Sequence, residues 1–250
     1  MRAAPYPPGM SKRKAKPTRP LGRRVHRLPD GRRAEVYEGP LASPHVVTAD
    51  LETVLAALEG FDPEMPWKKA RHEVLPMLPR VRPLPTPELD LVRAMLPPGI
   101  LVGFGIDIGP AITFVSTTLL ERWHVDPAGL AGAALANLRR AAQGCGPADV
   151  LDDHIGDVPV SVVQTGRGIA ASLLLVPDCL ERVLGGRERL LLAPMRDILI
   201  ALPADVDRGF AAWLADEWEA MDPNHLHLGG FRLRAGVVAP EPIDEALARA

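Results

Sequence analysis

Two adjacent charged residues, Arg196 and Asp197, interrupt a run that is otherwise apolar from Leu190 to Leu202. Charged side chains are rarely left in apolar surroundings without partners. If one strand runs through this stretch, the two side chains point to opposite faces and each needs its own partner. Asp107, isolated in another apolar segment, is a candidate partner for Arg196. Since structural ion pairs are commoner than catalytic ones, a structural role is favoured over a catalytic one.

Proline 194 makes a second interpretation possible, in which the run splits into two strands joined by a tight turn at about residues 193–197. In that case Arg196 and Asp197 lie at a solvent-exposed hairpin tip and carry little functional meaning.

Two further groups contain residue types that bind metals. The acidic stretch 152–157 holds three aspartates and a histidine, but it lacks the fixed spacing of a known calcium loop, so we interpret it as a solvated turn. His225 and His227 would point the same way on a strand. A zinc site needs two or three more ligands, and none is evident nearby. The sequence therefore predicts no metal site.

A glycine-rich stretch, Gly103 to Gly109, fails as a nucleotide-binding loop. Ile108 stands where the third glycine belongs, and Pro110 and a strand follow instead of a helix N-terminus. The chain also has no G-x-S-x-G, H-E-x-x-H or P-loop pattern. The sequence therefore predicts no cofactor, identifies no catalytic residue, and favours a non-enzymatic protein over an enzyme.

The charge of the chain is unevenly distributed. Residues 1–33 hold eleven Lys/Arg and one acid, so they carry +10, whereas residues 34–250 hold 18 basic and 30 acidic residues and carry −12. The basic segment is rich in proline and has no apolar period, which is typical of disorder. Its cluster Lys12, Arg13, Lys14 and Lys16 could bind nucleic acid, although a solvated tail is the favoured interpretation.

Composition places the rest of the chain among globular proteins. Of the 250 residues 47% are apolar and 24% are charged. Two widely spaced cysteines, Cys145 and Cys179, predict buried thiols in a reducing compartment. No secretory signal and no apolar stretch of membrane-spanning length is visible. We expect a soluble cytoplasmic protein.

Three regions are predicted. Residues 1–45 form a disordered basic tail. Residues 46–96 form a helical region in which helices at 51–60, 66–75 and 88–96 flank a proline-rich connector. Residues 97–250 form an α+β domain.

The α+β domain is predicted as hairpins that alternate with helices. Strands are expected at 100–108, 111–115, 158–165, 169–176, 190–202 (in two parts) and 231–238. Helices are expected from Thr118, Asp126, Pro177, Asp205 or Asp207, and Pro242. This order favours a largely antiparallel sheet with helices on one face. Apolar stretches without alternation, at 173–176 and 190–192, suggest in addition that some strands are covered on both faces.

Four segments of this chain resemble the YtpQ-like family of bacterial cytoplasmic proteins. The segments are Trp67 with Val74-Leu75-Pro76, Ala134-Leu135-Ala136-Asn137-Leu138, Ala171-Ser172-Leu173-Leu174, and Ala193-Pro194-Met195-Arg196-Asp197-Ile198-Leu199. The resemblance covers roughly residues 50–235 and implies a mixed α/β domain with no established activity. It brings no catalytic residues, but it adds weight to Asn137, Arg196 and Asp197 as candidate binding residues.

Three functional hypotheses follow. The first is a non-enzymatic binding or adaptor protein whose partner is another protein. The alternative is a small-substrate enzyme that uses Asp107, Arg196 and Asp197, the polar residues that interrupt apolar strands. The third is a nucleic-acid-associated protein that works through the basic tail. The candidate binding residues are Asp107, Asn137, Arg196 and Asp197.

Overall fold

The computed structural model describes residues 22–27, 33–38, 56–57, 59–62, 64–78, 90–97, 99–108, 112–221, 225–226 and 228–243. Two larger antiparallel sheets, a separate two-stranded hairpin and several helices are formed by these residues, which confirms the predicted α+β class. None of the described helices is long and apolar enough to span a membrane.

The larger sheet has six strands. They are β7 (Val150–Ile155), β8 (Val158–Val163), β9 (Arg189–Met195), β10 (Ile198–Pro203), β11 (Gly230–Arg234) and β12 (Val237–Glu241). Their order across the sheet is β12-β11-β9-β10-β8-β7, and every neighbouring pair is antiparallel. The sheet is built from three hairpins, β7-β8, β9-β10 and β11-β12, and longer segments that contain helices join one hairpin to the next.

Apolar side chains cover both faces of the six-stranded sheet. On β9, Leu190 and Leu192 pack on one face with Phe210 and Leu214. Leu191, the residue between them, packs on the other face in the main hydrophobic core. Because strand residues alternate between faces, a strand without polar alternation is buried on both sides. Helices therefore lie on both faces, so their predicted placement on one face is wrong, whereas the predicted cover on both faces at residues 190–192 is confirmed.

The smaller sheet has four strands. They are β3 (Val74–Met77), β4 (Arg93–Leu96), β5 (Ile100–Asp107) and β6 (Ile112–Phe114). Strand β5 makes all three strand pairings of this sheet, and all are antiparallel. The sheet therefore combines β3 and β4, which precede position 97, with β5 and β6, which follow it. Val102, Phe104 and Ile106 face the main core and are at most 1% exposed.

The helices fill the space beside the sheets. They are α1 (Trp67–Ala70), α2 (Thr117–Trp123), α3 (Pro127–Gln143), α4 (Pro177–Leu184) and α5 (Arg208–Glu219), with 3-10 turns at Pro147–Asp149 and Ala171–Leu175. Helix α3 packs against β3 and β4, and α5 packs against β9. The main core joins α3, α4 and the 171–175 turn to the inner faces of both sheets.

Several predicted boundaries are confirmed. Asp126 caps α3 by accepting a hydrogen bond of 2.7 Å from the backbone N–H of Gly129, Pro127 occupies the first turn, and Gly144 ends the helix. Asp207 caps α5 in the same way. Residues 56, 57, 59 and 60 are helical, as expected for the first helix, and the rest of that helix lies outside the described residues.

Three predictions near the smaller sheet are wrong. The helix expected to reach Leu75 ends at Ala70, because residues 74–77 pair with β5 and Pro76 could not continue a helix. The helix expected at 88–96 is not formed at 93–96, where β4 pairs with β5. The cap of α2 is Ser116, which accepts from the N–H of Leu119, and not Thr118.

Three predictions in the larger sheet are also wrong. The strand expected at 169–176 is a buried 3-10 turn. The expected acidic turn at 152–157 is mostly β7, an edge strand, and the turn is confined to residues 156 and 157. The single strand expected at 231–238 is a hairpin, with Ala235 and Gly236 at positive φ in its turn. The helix expected after Pro242 lies mostly outside the described residues.

A hairpin lies within the segment 1–45, for which the sequence predicts disorder. Its strands are β1 (Gly22–Arg27) and β2 (Arg33–Glu38), paired antiparallel with each other and with no other described strand. An isolated two-stranded hairpin is marginally stable in water, which agrees with the low apolar content of this segment. The rest of the segment, including Lys12 to Lys16, lies outside the described residues.

Candidate functional site

Arg196 and Asp197 form the turn between β9 and β10, which confirms the predicted turn. Their expected full exposure is wrong, since both residues are half-buried. Asp197 Oδ1 accepts hydrogen bonds from the backbone N–H groups of Thr165 (3.3 Å) and Ala170 (3.4 Å) and from the Thr165 hydroxyl. The carbonyl oxygen of Arg196 accepts from the N–H of Ala171 at 3.0 Å. The turn thus holds the loop that leads into the 171–175 turn.

The other two predicted residues lie elsewhere. Asp107 is exposed at the end of β5, on the smaller sheet. Asn137 is 6% exposed on α3, and its Nδ2 donates to the carbonyl oxygens of Arg71 (3.0 Å) and Val74 (2.8 Å). This side chain therefore fastens α3 to the segment that enters β3. A binding role for any of the four residues stays a prediction.

A cavity of about 210 Å³ lies between the C-terminal part of α3 and the N-terminal part of α4. Its polar lining comes from two pairs of residues four positions apart, Arg139 with Gln143 on α3 and Asp178 with Arg182 on α4. Residues at this spacing share one face of a helix, so the two pairs face a common space. Its apolar lining is formed by Ala142, Leu175, Val176, Pro177 and Cys179.

Arg182 lines this cavity and is held by the end of α3. Its Nη2 donates to the carbonyl oxygens of Ala142 (2.7 Å) and Cys145 (3.3 Å), and it lies 3.5 Å from the Cys179 sulfur. A guanidinium group has five N–H donors, and Nε and Nη1 of Arg182 make no hydrogen bond to a described residue. Arg182 is therefore anchored while still able to donate to a ligand.

Cys179 of the cavity lining has the second cysteine, Cys145, beside it. Both thiols are free and about 4% exposed, which confirms the predicted burial. Burial raises the pKa of Cys145, and it raises the pKa of Cys179 to about 11. Arg167 Nη2 lies 3.5 Å from the Cys145 sulfur and opposes this rise, but desolvation is the larger effect. Both groups are therefore protonated thiols at neutral pH.

The remaining charges of the cavity are unpaired. Neither Arg139 nor Asp178 forms an ion pair or a side-chain hydrogen bond with any residue that the structure describes. Asp178 would normally pair with Arg182, four residues later on α4, but that guanidinium is turned toward the end of α3. Both side chains are exposed, so a ligand could reach them from solvent.

The sequence reasoning missed this site. The sequence does contain the two pairs, Arg139 with Gln143 and Asp178 with Arg182, each four residues apart on a helix that the sequence predicts. Nothing in the sequence shows that α3 and α4 face each other, because about 40 residues separate the two pairs. Among the described residues there is no group of three or more His, Cys, Asp or Glu side chains that could hold a metal ion.

Two other surface features carry exposed apolar or charged side chains. The outward face of the smaller sheet exposes Met95 (65%), Leu101 (42%) and Phe114 (41%), and Met95 and Leu101 are direct cross-strand neighbours. On the larger sheet, Glu241 accepts from Arg232 and Arg208, and Arg232 also donates to Glu188 at 2.7 Å. This second group satisfies its own charges and leaves little for a ligand.

Comparison of the chain with protein-family models, with curated proteins and with solved structures gives no match. The resemblance to the YtpQ-like family therefore stays a prediction, and the functional conclusion depends on the geometry of the chain itself.

Proposed function

We propose that this protein is a non-enzymatic binding protein that holds a small carboxylate-bearing ligand in the cavity between α3 and α4. The observation that carries the proposal is the pair of guanidinium groups, Arg139 and Arg182, on the lining of one cavity that also has an apolar wall. Guanidinium groups present planar sets of donors that match carboxylates, and such charge-assisted hydrogen bonds are stronger than neutral ones.

The size of the cavity limits the ligand to a small molecule. Its volume of about 210 Å³ lies below the range of roughly 300 to 1,000 Å³ found for pockets that enclose drug-sized ligands. The apolar wall formed by Leu175, Val176 and Pro177 suits a short hydrocarbon chain. A small carboxylic acid combines both requirements.

The chemistry of the lining favours binding over catalysis. Thiolates, not thiols, act as nucleophiles, and the raised pKa of Cys179 leaves this sulfur protonated at neutral pH. The arginines cannot act as bases because they do not lose a proton in proteins. Free thiols also suit a reducing compartment, so we place the protein in the cytoplasm as part of the same proposal.

The competing hypotheses have weaker support. An adaptor role would use the outward face of the smaller sheet, but three exposed apolar side chains are within what ordinary monomers show. An enzyme that uses Asp107, Arg196 and Asp197 would need these groups at one cleft, and Asp107 lies on a different sheet from the other two. The basic tail lies largely outside the described residues.

Calorimetric titration of the full chain with acetate, glutarate and L-glutamate tests the proposal. We expect saturable binding of at least one dicarboxylate, and Arg139→Gln should weaken it by about tenfold, the loss expected for one charge-assisted hydrogen bond. Arg140→Gln is the matched control, because Arg140 is the next residue of α3, is exposed, and does not line the cavity. Absence of saturable binding, or an equal effect of the two variants, would contradict the proposal.

A further inference from the structure

The cavity between α3 and α4 carries charges of both signs. Arg139 and Arg182 supply two positive groups, and Asp178 supplies one negative group on the same lining. A carboxylate beside a site for carboxylates would repel the ligand if the ligand were purely anionic. Asp178 therefore indicates that the ligand brings a positive group of its own.

We propose that the ligand is an acidic α-amino acid, of the aspartate or glutamate class, an inference that rests on the proposed function. Such a molecule carries two carboxylates and one ammonium group. This charge set is the complement of the two guanidiniums and one carboxylate of the cavity. In this arrangement each carboxylate meets an arginine, and the ammonium group donates to Asp178.

The state of Asp178 supports this assignment. Its usual helical partner, Arg182, donates instead to the carbonyl oxygens of Ala142 and Cys145, which holds the guanidinium away from the carboxylate. Asp178 also follows Pro177 in the first turn of α4, where a negative charge is favourable. The carboxylate is thus left free to accept hydrogen bonds from a ligand ammonium.

The rest of the lining fits the same ligand. Leu175, Val176 and Pro177 offer an apolar wall for the one or two methylene groups between the charged ends. Gln143 adds an amide that can donate to a carboxylate or accept from an ammonium group. No further cation is required, since the charges of cavity and ligand balance.

Three ligands separate the contributions in calorimetric titrations of the full chain. L-glutamate carries all three charges, glutarate lacks the ammonium group, and 4-aminobutyrate lacks the α-carboxylate. We expect L-glutamate to bind at least about tenfold more tightly than either of the others, as the loss of one charge-assisted hydrogen bond predicts. Asp178→Asn should remove the preference for L-glutamate over glutarate.

The preference is the ratio of the affinities for L-glutamate and glutarate, both measured on the same variant. A general loss of protein stability would lower both affinities and leave this ratio unchanged. Asp216→Asn is the control, because Asp216 is an exposed aspartate on α5, away from the cavity lining, and it should keep the preference. If glutarate binds as tightly as L-glutamate, or if Asp178→Asn keeps the preference, this inference fails while the proposed function stands. If none of the ligands binds, both fail.

Discussion

Arg182 Nη2 and the carbonyl oxygen of Ala142 lie 2.7 Å apart, so a side chain of α4 caps the last turn of α3. A helix leaves its last four carbonyl groups without intrahelical partners, and a basic side chain at this end also interacts favourably with the helix dipole. The same contact, together with the one from the Cys179 thiol to the same oxygen, joins the two helices that line the cavity. One arginine therefore serves both the packing of the helices and the candidate site.

Replacing Arg182 by methionine should destabilise the protein. The variant keeps an apolar stem but removes the guanidinium donor from the carbonyl oxygens of Ala142 and Cys145, of which the Ala142 oxygen still accepts from the N–H of Cys145 at 3.1 Å. We expect the free energy of unfolding to fall by about 1.5–3 kcal/mol. Urea denaturation followed by circular dichroism measures the change. Arg187→Met, at an exposed position without a described side-chain contact, should change stability by less than about 0.5 kcal/mol. Equal effects of the two variants would show that the cap is unimportant.

Asp197→Ala should loosen the loop between β8 and the 171–175 turn. Three hydrogen bonds, to Thr165 and Ala170, are lost together, and we expect a destabilisation of about 2–3 kcal/mol. Limited proteolysis should then detect faster cleavage near Gly166–Gly168. The exposed Asp205, replaced by alanine, provides the comparison. Unchanged cleavage in Asp197→Ala would argue against this role.

Two glycines of β5 should respond differently to alanine. A Cβ at Gly105 would lie 2.5 Å from Ile112 Cγ2 and 3.2 Å from Met77 Cγ, whereas a Cβ at Gly103 meets nothing closer than 3.9 Å. Gly105→Ala should therefore cost about 1–3 kcal/mol through overpacking. Gly103→Ala should be neutral or slightly stabilising, because it restricts the unfolded chain. Thermal unfolding of both variants checks the difference, and a reversed order would contradict the packing described for this face.

The thiols should resist alkylation in the folded protein. Cys145 and Cys179 are buried and protonated at neutral pH, so iodoacetamide at pH 7 should label them only as fast as the protein opens. Addition of denaturant should expose both thiols at once, which mass spectrometry can follow. Rapid labelling without denaturant would contradict the burial of this pair.

The ionisation of Cys179 also predicts a pH dependence. Burial raises its pKa from the ordinary value of 9.0 to about 11, so folding favours the protonated thiol. The stabilisation is fully present below pH 9 and is lost as the pH rises toward 11. The stability difference between the natural chain and Cys179→Ala should therefore narrow in this range. If the stability difference between the two proteins stays constant between pH 8 and 11, this prediction is wrong.

Glu241 should show the opposite dependence on pH. Its hydrogen bond with Arg232 lowers its pKa below the ordinary value of 4.5, so its contribution is present above that value and is lost as the pH falls through the lowered one. Glu241→Gln should cost about 1–3 kcal/mol at pH 7, with a smaller cost below pH 4. Chemical denaturation across this range measures both values. Glu121→Gln, an exposed position on α2, should show neither effect.

Local sequence signals were sufficient where one residue decides the structure. Asp126, Pro127 and Gly144 predicted both ends of α3, and Pro194 with the two charges after it predicted the turn between β9 and β10. These signals act through capping and dihedral restriction, which depend only on neighbouring residues.

Predictions failed where distant contacts decide. Residues 169–176 are apolar without period, and a buried strand and a buried helical turn look alike in such a sequence. The backbone N–H groups of Thr165 and Ala170 donate to Asp197, some 30 residues later in the chain, and these hydrogen bonds favour the 3-10 turn over a strand. The cavity was missed for the same reason, because Arg139 and Asp178 line one space only after the chain has folded around the main core.

The main core draws on both sheets, and the six-stranded sheet is made entirely of residues after position 149. During synthesis the smaller sheet and α3 therefore leave the ribosome before most of the surface that covers them exists. Val102, Phe104 and Leu138 share this core with Phe231, Leu233 and Val238 of β11 and β12, so the core stays incomplete until those late strands are added. Nascent chains truncated before residue 230 should accordingly be prone to aggregation and should depend on chaperones.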